Sequence, residues 1–298
     1  MKVSTITSYC AQLFGDQEAL RILAAAGYDG VDYSMYAFSS DHFLYHCSDQ
    51  ELVDYYTAVK NTGNELGLSF FQFHGAFGPY PKTQERLEEY ADQSRRAVLA
   101  CQALDCPYVV IHPLIPPYCL YHQGHEKAKE ENMTFFTRLM PLLEQCHVKI
   151  GIENMFSRDP ETGKICPTVV SRGEEMADYI DTLNHIAGKE LFVACLDIGH
   201  GRLIQGESPE RMIRVLGNRL RLLHVQDSNG VQDLHTIPYL GGSVNWDKVC
   251  QALKETGYSG VFNFEADTFL SQLPRELLPQ SAALQCALGR LLASRVEG

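Results

Sequence analysis

The sequence predicts a single (β/α)8 TIM barrel over residues 1–298, and three observations carry that prediction. Short apolar runs rich in β-branched and aromatic residues recur eight times, and each is followed by a longer segment with helical periodicity. No Pro/Ser-rich linker, charge block or low-complexity tract interrupts the alternation. Successive runs begin about 37 residues apart, which suits a strand plus its crossover helix. The length allows two ordinary domains, but α/β barrels of this size commonly form one. A doubly wound open sheet is the competing architecture. It would carry a glycine-rich phosphate loop after the first strand, where this chain reads Thr7-Ser8-Tyr9-Cys10, and no GxGxxG occurs.

The strand runs begin near Val3 (VSTIT), Val31 (VDYSM), Ser69 (SFFQFHG), Tyr108 (YVVIHPL), Lys149 (KIGIENM), Phe192 (FVACLDIGH), Arg221 (RLLHVQDSN) and Val261 (VFNFEAD). Helices are expected over residues 16–26, 49–66, 83–104, 126–146, 173–185, 209–216, 247–255 and 276–293. Ser208-Pro209 opens the sixth, and Gly27, Gly67 and Gly257 close the first, second and seventh.

The formal charge of −12 argues against nucleic acid or an anionic membrane as a partner. Residues 1–6 lack the apolar stretch of a signal peptide and no run approaches the length of a membrane span, so a cytoplasmic protein is expected. Ten cysteines lie scattered in apolar segments without a CxxC pair, which reads as buried free thiols. The oligomeric state stays open, a homo-oligomer included.

In such a barrel the chemistry sits at the C-terminal strand ends. The third to eighth runs end in His74, His112, Glu153, Asp197 with His200, His224, and Glu265, and the loop after the seventh adds Asp233 and His235. A single histidine or carboxylate at such a place is commonly structural. Nine of them on one rim would repel and desolvate one another unless divalent cations were present. Imidazole and carboxylate without cysteine suit zinc, manganese, iron or cobalt. Asp233 and His235 are two apart and share a side of an extended segment, and Asp197 and His200 lie within one turn. His42, His46, His122, His125, His147 and His185 fall off the strand ends and read as surface or structural.

These motifs resemble the xylose-isomerase-like barrel superfamily, the sugar-phosphate isomerase/epimerases together with endonuclease IV. The resemblance covers essentially the whole chain. Its most specific piece is His224-Val225-Gln226-Asp227-Ser228-Asn229-Gly230, continuing to Asp233-Leu234-His235-Thr236-Ile237-Pro238, Gly241-Gly242 and Val244-Asn245-Trp246. Cys195-Leu196-Asp197-Ile198-Gly199-His200 and Ile152-Glu153-Asn154 support it. Similarity to ketose 3-epimerases implies one divalent metal, manganese, cobalt or zinc, on Glu153, Asp197, His224 and Glu265, with Glu153 and Glu265 as the acid/base pair. Similarity to endonuclease IV implies up to three metals. His74 and His112 would join Glu153 on one, and His200, Asp233 and His235 would hold another.

The chain departs from both patterns. Leu234 stands where endonuclease IV has Arg, and Asp159 and Gly230 stand where the ketose epimerases have a substrate-binding Glu and an Arg. The expected activity is metal-dependent isomerisation or epimerisation of a sugar or sugar-like polyol, through proton abstraction next to a carbonyl and an enediolate. Dehydration of a keto-polyol, C-glycoside cleavage, phosphoester hydrolysis and a non-enzymatic binding module are the alternatives. Arg158, Lys164 and Arg202 follow strand ends and read either as phosphate or carboxylate binders or as solvated charges. The aromatic-rich stretches 33–45 and 71–80 read either as sugar-stacking pocket walls or as ordinary packing.

Overall fold

The computed structural model of the protein describes residues 1–35, 38–39 and 41–298. The barrel wall consists of eight parallel strands: β1 (Val3–Ile6), β2 (Gly30–Ser34), β3 (Ser69–His74), β4 (Tyr108–Val110), β5 (Lys149–Glu153), β8 (Phe192–Asp197), β9 (Leu220–His224) and β10 (Phe262–Phe264). Between β5 and β8 the chain forms a short antiparallel hairpin of β6 (Ser157–Arg158) and β7 (Ile165–Cys166). The wall runs β10-β1-β2-β3-β4-β5-β8-β9. The circle closes through the Val225–Phe264 bridge, where Val225 N–H donates to Asn263 O at 2.7 Å and Glu265 N–H to Val225 O at 3.2 Å. The eight apolar runs are thus the eight barrel strands.

Twelve helices lie among the described residues. They are α1 (Ser8–Phe14), α2 (Asp16–Ala25), α3 (Asp49–Glu65), α4 (Gln84–Leu104), α5 (His125–Thr137), α6 (Met140–Cys146), α7 (Gly173–Ala187), α8 (Ile198–Leu203), α9 (Pro209–Leu216), α10 (Trp246–Glu255), α11 (Asp267–Ser271) and α12 (Leu278–Glu297). Local chemistry sets their ends. Ser48 and Glu51 close a reciprocal capping box on α3, and Thr83 and Ser208 cap α4 and α9. The single helix expected over 126–146 is two, because Pro141 has no N–H to give and its ring collides with a carbonyl one turn back. The short helices α1, α8 and α11 sit in loops after strands and were not expected from periodicity.

The strands are buried on both sides, as a parallel barrel sheathed in helices requires. Inside, Val110, Val193, Cys195 and Leu222 form a small apolar cluster. Side chains two residues apart on a strand share a face, so two steps further on place His112, Asp197 and His224 on that same inner face. The barrel's own period therefore delivers these candidates to one place. All ten cysteines are free, nine of them buried. No helix among the described residues is long and apolar enough to cross a membrane.

Candidate metal and proton-transfer site

At the C-terminal mouth lies a cavity of about 440 Å³ whose wall includes His74, His112, Glu153, His200, Asp233, His235 and Glu265. Asp197 and His224 are fully buried beside them. All nine strand-end and loop candidates thus meet in one region. Arg158 lines the same cavity, whereas Arg202 lines an adjoining one. Of the aromatic stretches, Phe77 reaches the wall with its ring 5.0 Å from that of His112, and Phe156 sits likewise 5.0 Å from His200. Tyr36 and Ala37 of the first stretch, and Ser40, lie outside the described residues.

Glu153 is the hub. Its Oε2 accepts from His112 Nε2 at 2.9 Å and lies 3.2 Å from His224 Nδ1 and 3.6 Å from His74 Nε2, while Oε1 is 3.4 Å from His200 Nδ1. Glu265 approaches the same two imidazoles, with Oε2 2.8 Å from His224 Nδ1 and Oε1 3.6 Å from His74 Nε2. The donor atoms of His74, Glu153, His224 and Glu265 all lie within 4.8 Å of one another. Two further groups meet the same limit: His200, Asp233 and His235, and Glu153, Asp197 and His200.

The first group contains three of the four expected ligands, Glu153, His224 and Glu265, together with His74, and Asp197 falls in the last. Asp197 caps α8, its Oδ1 accepting from His200 N–H at 2.6 Å and from Gln226 Nε2 at 3.1 Å. Its Oδ2 remains buried with no hydrogen-bond partner among the described residues.

Two observations show that these residues suit a divalent cation. Backbone carbonyls fix three of the imidazoles: His74 Nδ1 donates to Gly75 O at 3.0 Å, His200 Nδ1 to Asn154 O at 2.9 Å and His235 Nδ1 to Glu265 O at 3.0 Å. A carbonyl only accepts, so each ring is held with Nε2 turned toward the carboxylates, as a ligating histidine is held. In addition, Glu265 Oε2 and both nitrogens of His224 are buried without hydrogen-bond geometry to any partner among the described residues, although Glu265 and His224 almost touch. Polar atoms so placed are costly unless something else engages them.

Around this group lies a set of side chains to which sequence reasoning gave no role. Asp32 on β2 is fully buried; its Oδ2 lies 3.5 Å from His224 Nε2 and accepts from Gln72 at 2.7 Å and Asn263 at 3.0 Å. Gln226 Nε2 donates to Asp233 Oδ1 at 2.7 Å as well as to Asp197. It can do so because residue 199 is glycine: a Cβ there would fall 2.2 Å from the Gln226 side chain. Asp227 accepts from Trp246 Nε1 at 2.8 Å and Val244 N–H at 3.1 Å, and so folds the loop that presents Asp233 and His235. Asp267, also on the cavity wall, accepts from Ser8 Oγ.

Charges in the cluster shift one another. Burial opposes charge on His200, yet Asp197 and Asp233 outweigh it and hold the imidazole well above its ordinary value. His235 is likewise raised, against burial, to about 10 by its bond to Asp233. Burial pushes Asp197 up to about 7, with Glu153 and Glu265 adding to the effect. Glu265 goes the other way, to about 2, because His224 outweighs its burial. Without a cation, therefore, protons on His200 and His235 offset the carboxylates beside them, and a cation that takes either imidazole as a ligand must displace its proton.

The sequence profile described as xylose isomerase-like TIM barrel matches residues 20–285. An uncharacterized protein of Sinorhizobium fredii, y4fM, is 32% identical over 312 residues, 95% of this chain and 89% of that one. The uncharacterized protein MJ1311 of Methanocaldococcus jannaschii is 28% identical over 174 residues, 57% of this chain; the match spans only 54% of that protein's length. Among solved structures, a D-tagatose 3-epimerase-like protein superposes with a TM-score of 0.74 at 18% identity, covering 100% of this chain and 98% of the other. A D-psicose 3-epimerase in the presence of D-fructose gives 0.72 at 15%, covering 100% of both. The IolI protein with a bound zinc atom gives 0.67 at 18%, covering 100% and 98%. The chain belongs to the xylose isomerase-like TIM barrel family.

Proposed function

We propose that the protein is a metal-dependent enzyme that epimerises or isomerises a small sugar or sugar-like polyol by moving a proton next to a carbonyl. The observation that carries this reading is the pair of carboxylates, Glu153 and Glu265, bracketing the same two imidazoles at the cavity wall. The names of the sugar epimerases that share the fold support a carbohydrate substrate, and the zinc atom in IolI supports a metal.

A divalent cation, manganese, cobalt or zinc, bound by Glu153, His224 and Glu265 with Asp197 or His74 would supply Lewis-acid stabilisation of the negative charge that develops on the substrate's oxygens. The protein's groups do the rest. Glu265, the less enclosed of the two carboxylates, removes the proton beside the carbonyl, and Glu153 returns one at the other face or the neighbouring carbon. His200, oriented by Asn154, steadies a substrate hydroxyl. Phe77 and Phe156 shield the pocket from water. Dehydration or C-glycoside cleavage would begin with the same step.

The cluster of His200, Asp233 and His235 favours a second reading, a phosphoester hydrolase with additional metals. Elemental analysis of the purified protein distinguishes the two. About one transition metal per chain is expected, and three zincs per chain would favour the hydrolase. A protein that holds no metal, even after addition, contradicts both.

A further inference from the structure

We infer that the β6–β7 hairpin and α8 build an oxyanion subsite beside the proton-transfer cavity, which holds the phosphate or carboxylate tail of the substrate. The inference deepens the proposed function and rests on it for what happens at the substrate's other end. The subsite is an adjoining cavity of about 700 Å³ that Arg158, Lys164 and Arg202 line together. Arg158 also lines the proton-transfer cavity, so the two share a wall.

The charge of this cavity is unusual for the molecule. Many cations elsewhere face carboxylates, as Arg95 does Asp49, Arg211 Glu174 and Arg219 Asp181. Among the described residues none of the three cavity cations is ion-paired, and the side-chain hydrogen bond of Arg158 goes to the Gly163 carbonyl at 3.3 Å. The one carboxylate in the wall, Glu207, is already engaged: Arg211 lies 2.8 Å away, and the N–H groups of Ser208 and Gly173 donate to it at 3.0 and 3.3 Å. A chain of net charge −12 thus gathers three unneutralised cations beside its candidate active site. A guanidinium fork matches the geometry of a phosphate or carboxylate.

The turn that carries two of these side chains is ordered by its own hydrogen bonds. Asp159 Oδ1 accepts from the N–H groups of Glu161 and Thr162 at 2.9 Å each, and Asp159 N–H donates to Lys164 O at 2.9 Å, so the turn that carries Arg158 and Lys164 is tied to itself. Across the cavity Gly230 has a φ of +79°, and a Cβ there would stand 3.0 Å from the Arg202 guanidinium. Glycine at 230 therefore leaves the space that Arg202 fills. This gives the departure at Gly230 a physical reason, since the cation comes from α8 instead of from the loop after β9.

The test is calorimetric titration of the purified, metal-loaded protein with inorganic phosphate and, separately, with acetate. We expect saturable binding of at least one anion, and the one bound more tightly identifies the tail. Arg202→Ala and Arg158→Ala should each weaken binding by about tenfold or more, and Arg202→Lys should recover part of the loss. Binding should also survive chelation of the metal, which separates this subsite from an anion held at the cation. Absence of binding by both anions, binding unchanged in the Arg158→Ala/Arg202→Ala double variant, or loss on chelation would overturn the inference. None of these readouts depends on sugar turnover, so the proposed function can fail while the subsite stands, and the reverse.

Discussion

Replacing Glu265 by glutamine is expected to lower turnover by roughly 10²- to 10⁴-fold, the range typical of losing a general base, with substrate still bound. Glutamine keeps the shape of the side chain and one oxygen able to bind a cation, but it cannot take a proton. Glu265 suits the role because it lies at the end of β10 on the cavity wall, with Oε2 buried and Oε1 3.6 Å from His74 Nε2. In the cation-free protein its pKa is drawn to about 2 against burial, chiefly by His224, which would make it a poor base. A histidine that ligates a metal must be neutral, so cation binding would exchange that pull for the cation's own charge, and the base would then act on a C–H that the same cation acidifies. Steady-state kinetics and metal content should be measured on the same sample. A variant that retains both its metal and nearly full turnover would make Glu265 a ligand only.

The second large effect concerns metal retention. His224→Ala and Glu153→Ala should each strip the metal, because His224 Nδ1 stands between Glu153 and Glu265 at 3.2 and 2.8 Å and Glu153 links the groups around both His74 and His200. Asp32→Asn tests the support beneath them. It removes the carboxylate 3.5 Å from His224 Nε2 while keeping the volume, and should weaken metal affinity by about 10- to 100-fold without abolishing it. Competition with a chromophoric chelator gives all three affinities. Full affinity in both alanine variants would place the metal elsewhere.

The barrel was legible because burial imposes a pattern: each strand is an apolar run, and each long helix an amphipathic one with a cap. Six of the nine candidates were legible because they end those runs, and His200, Asp233 and His235 because they lie in the segments just after them. Their grouping was not, since it depends on competing bonds made after folding. Asp197 caps the helix start at His200 with one oxygen and keeps the other unengaged, while His74 comes close to Glu153, His224 and Glu265. Asp32, Gln72 and Asn263 did leave a signal, as polar residues inside apolar runs. Gln72 lies two before His74 and Asn263 two before Glu265, so they share a face with the candidates they support. The place of Arg202 beside residue 230 was beyond reach, because a glycine leaves that space open without marking what fills it. The break between α5 and α6 could have been read from Pro141.

The central claim is proton abstraction beside a carbonyl, and the most direct test is incubation of the enzyme with a panel of ketoses and ketose phosphates in deuterated water. A base that takes a proton from carbon exchanges it with solvent before returning it. The account predicts deuterium at the labile carbon of the product, and more slowly in recovered substrate, read by mass and by NMR, with the signal lost in Glu265→Gln. Turnover that leaves every carbon-bound hydrogen unexchanged, or phosphoester cleavage without exchange, would contradict it.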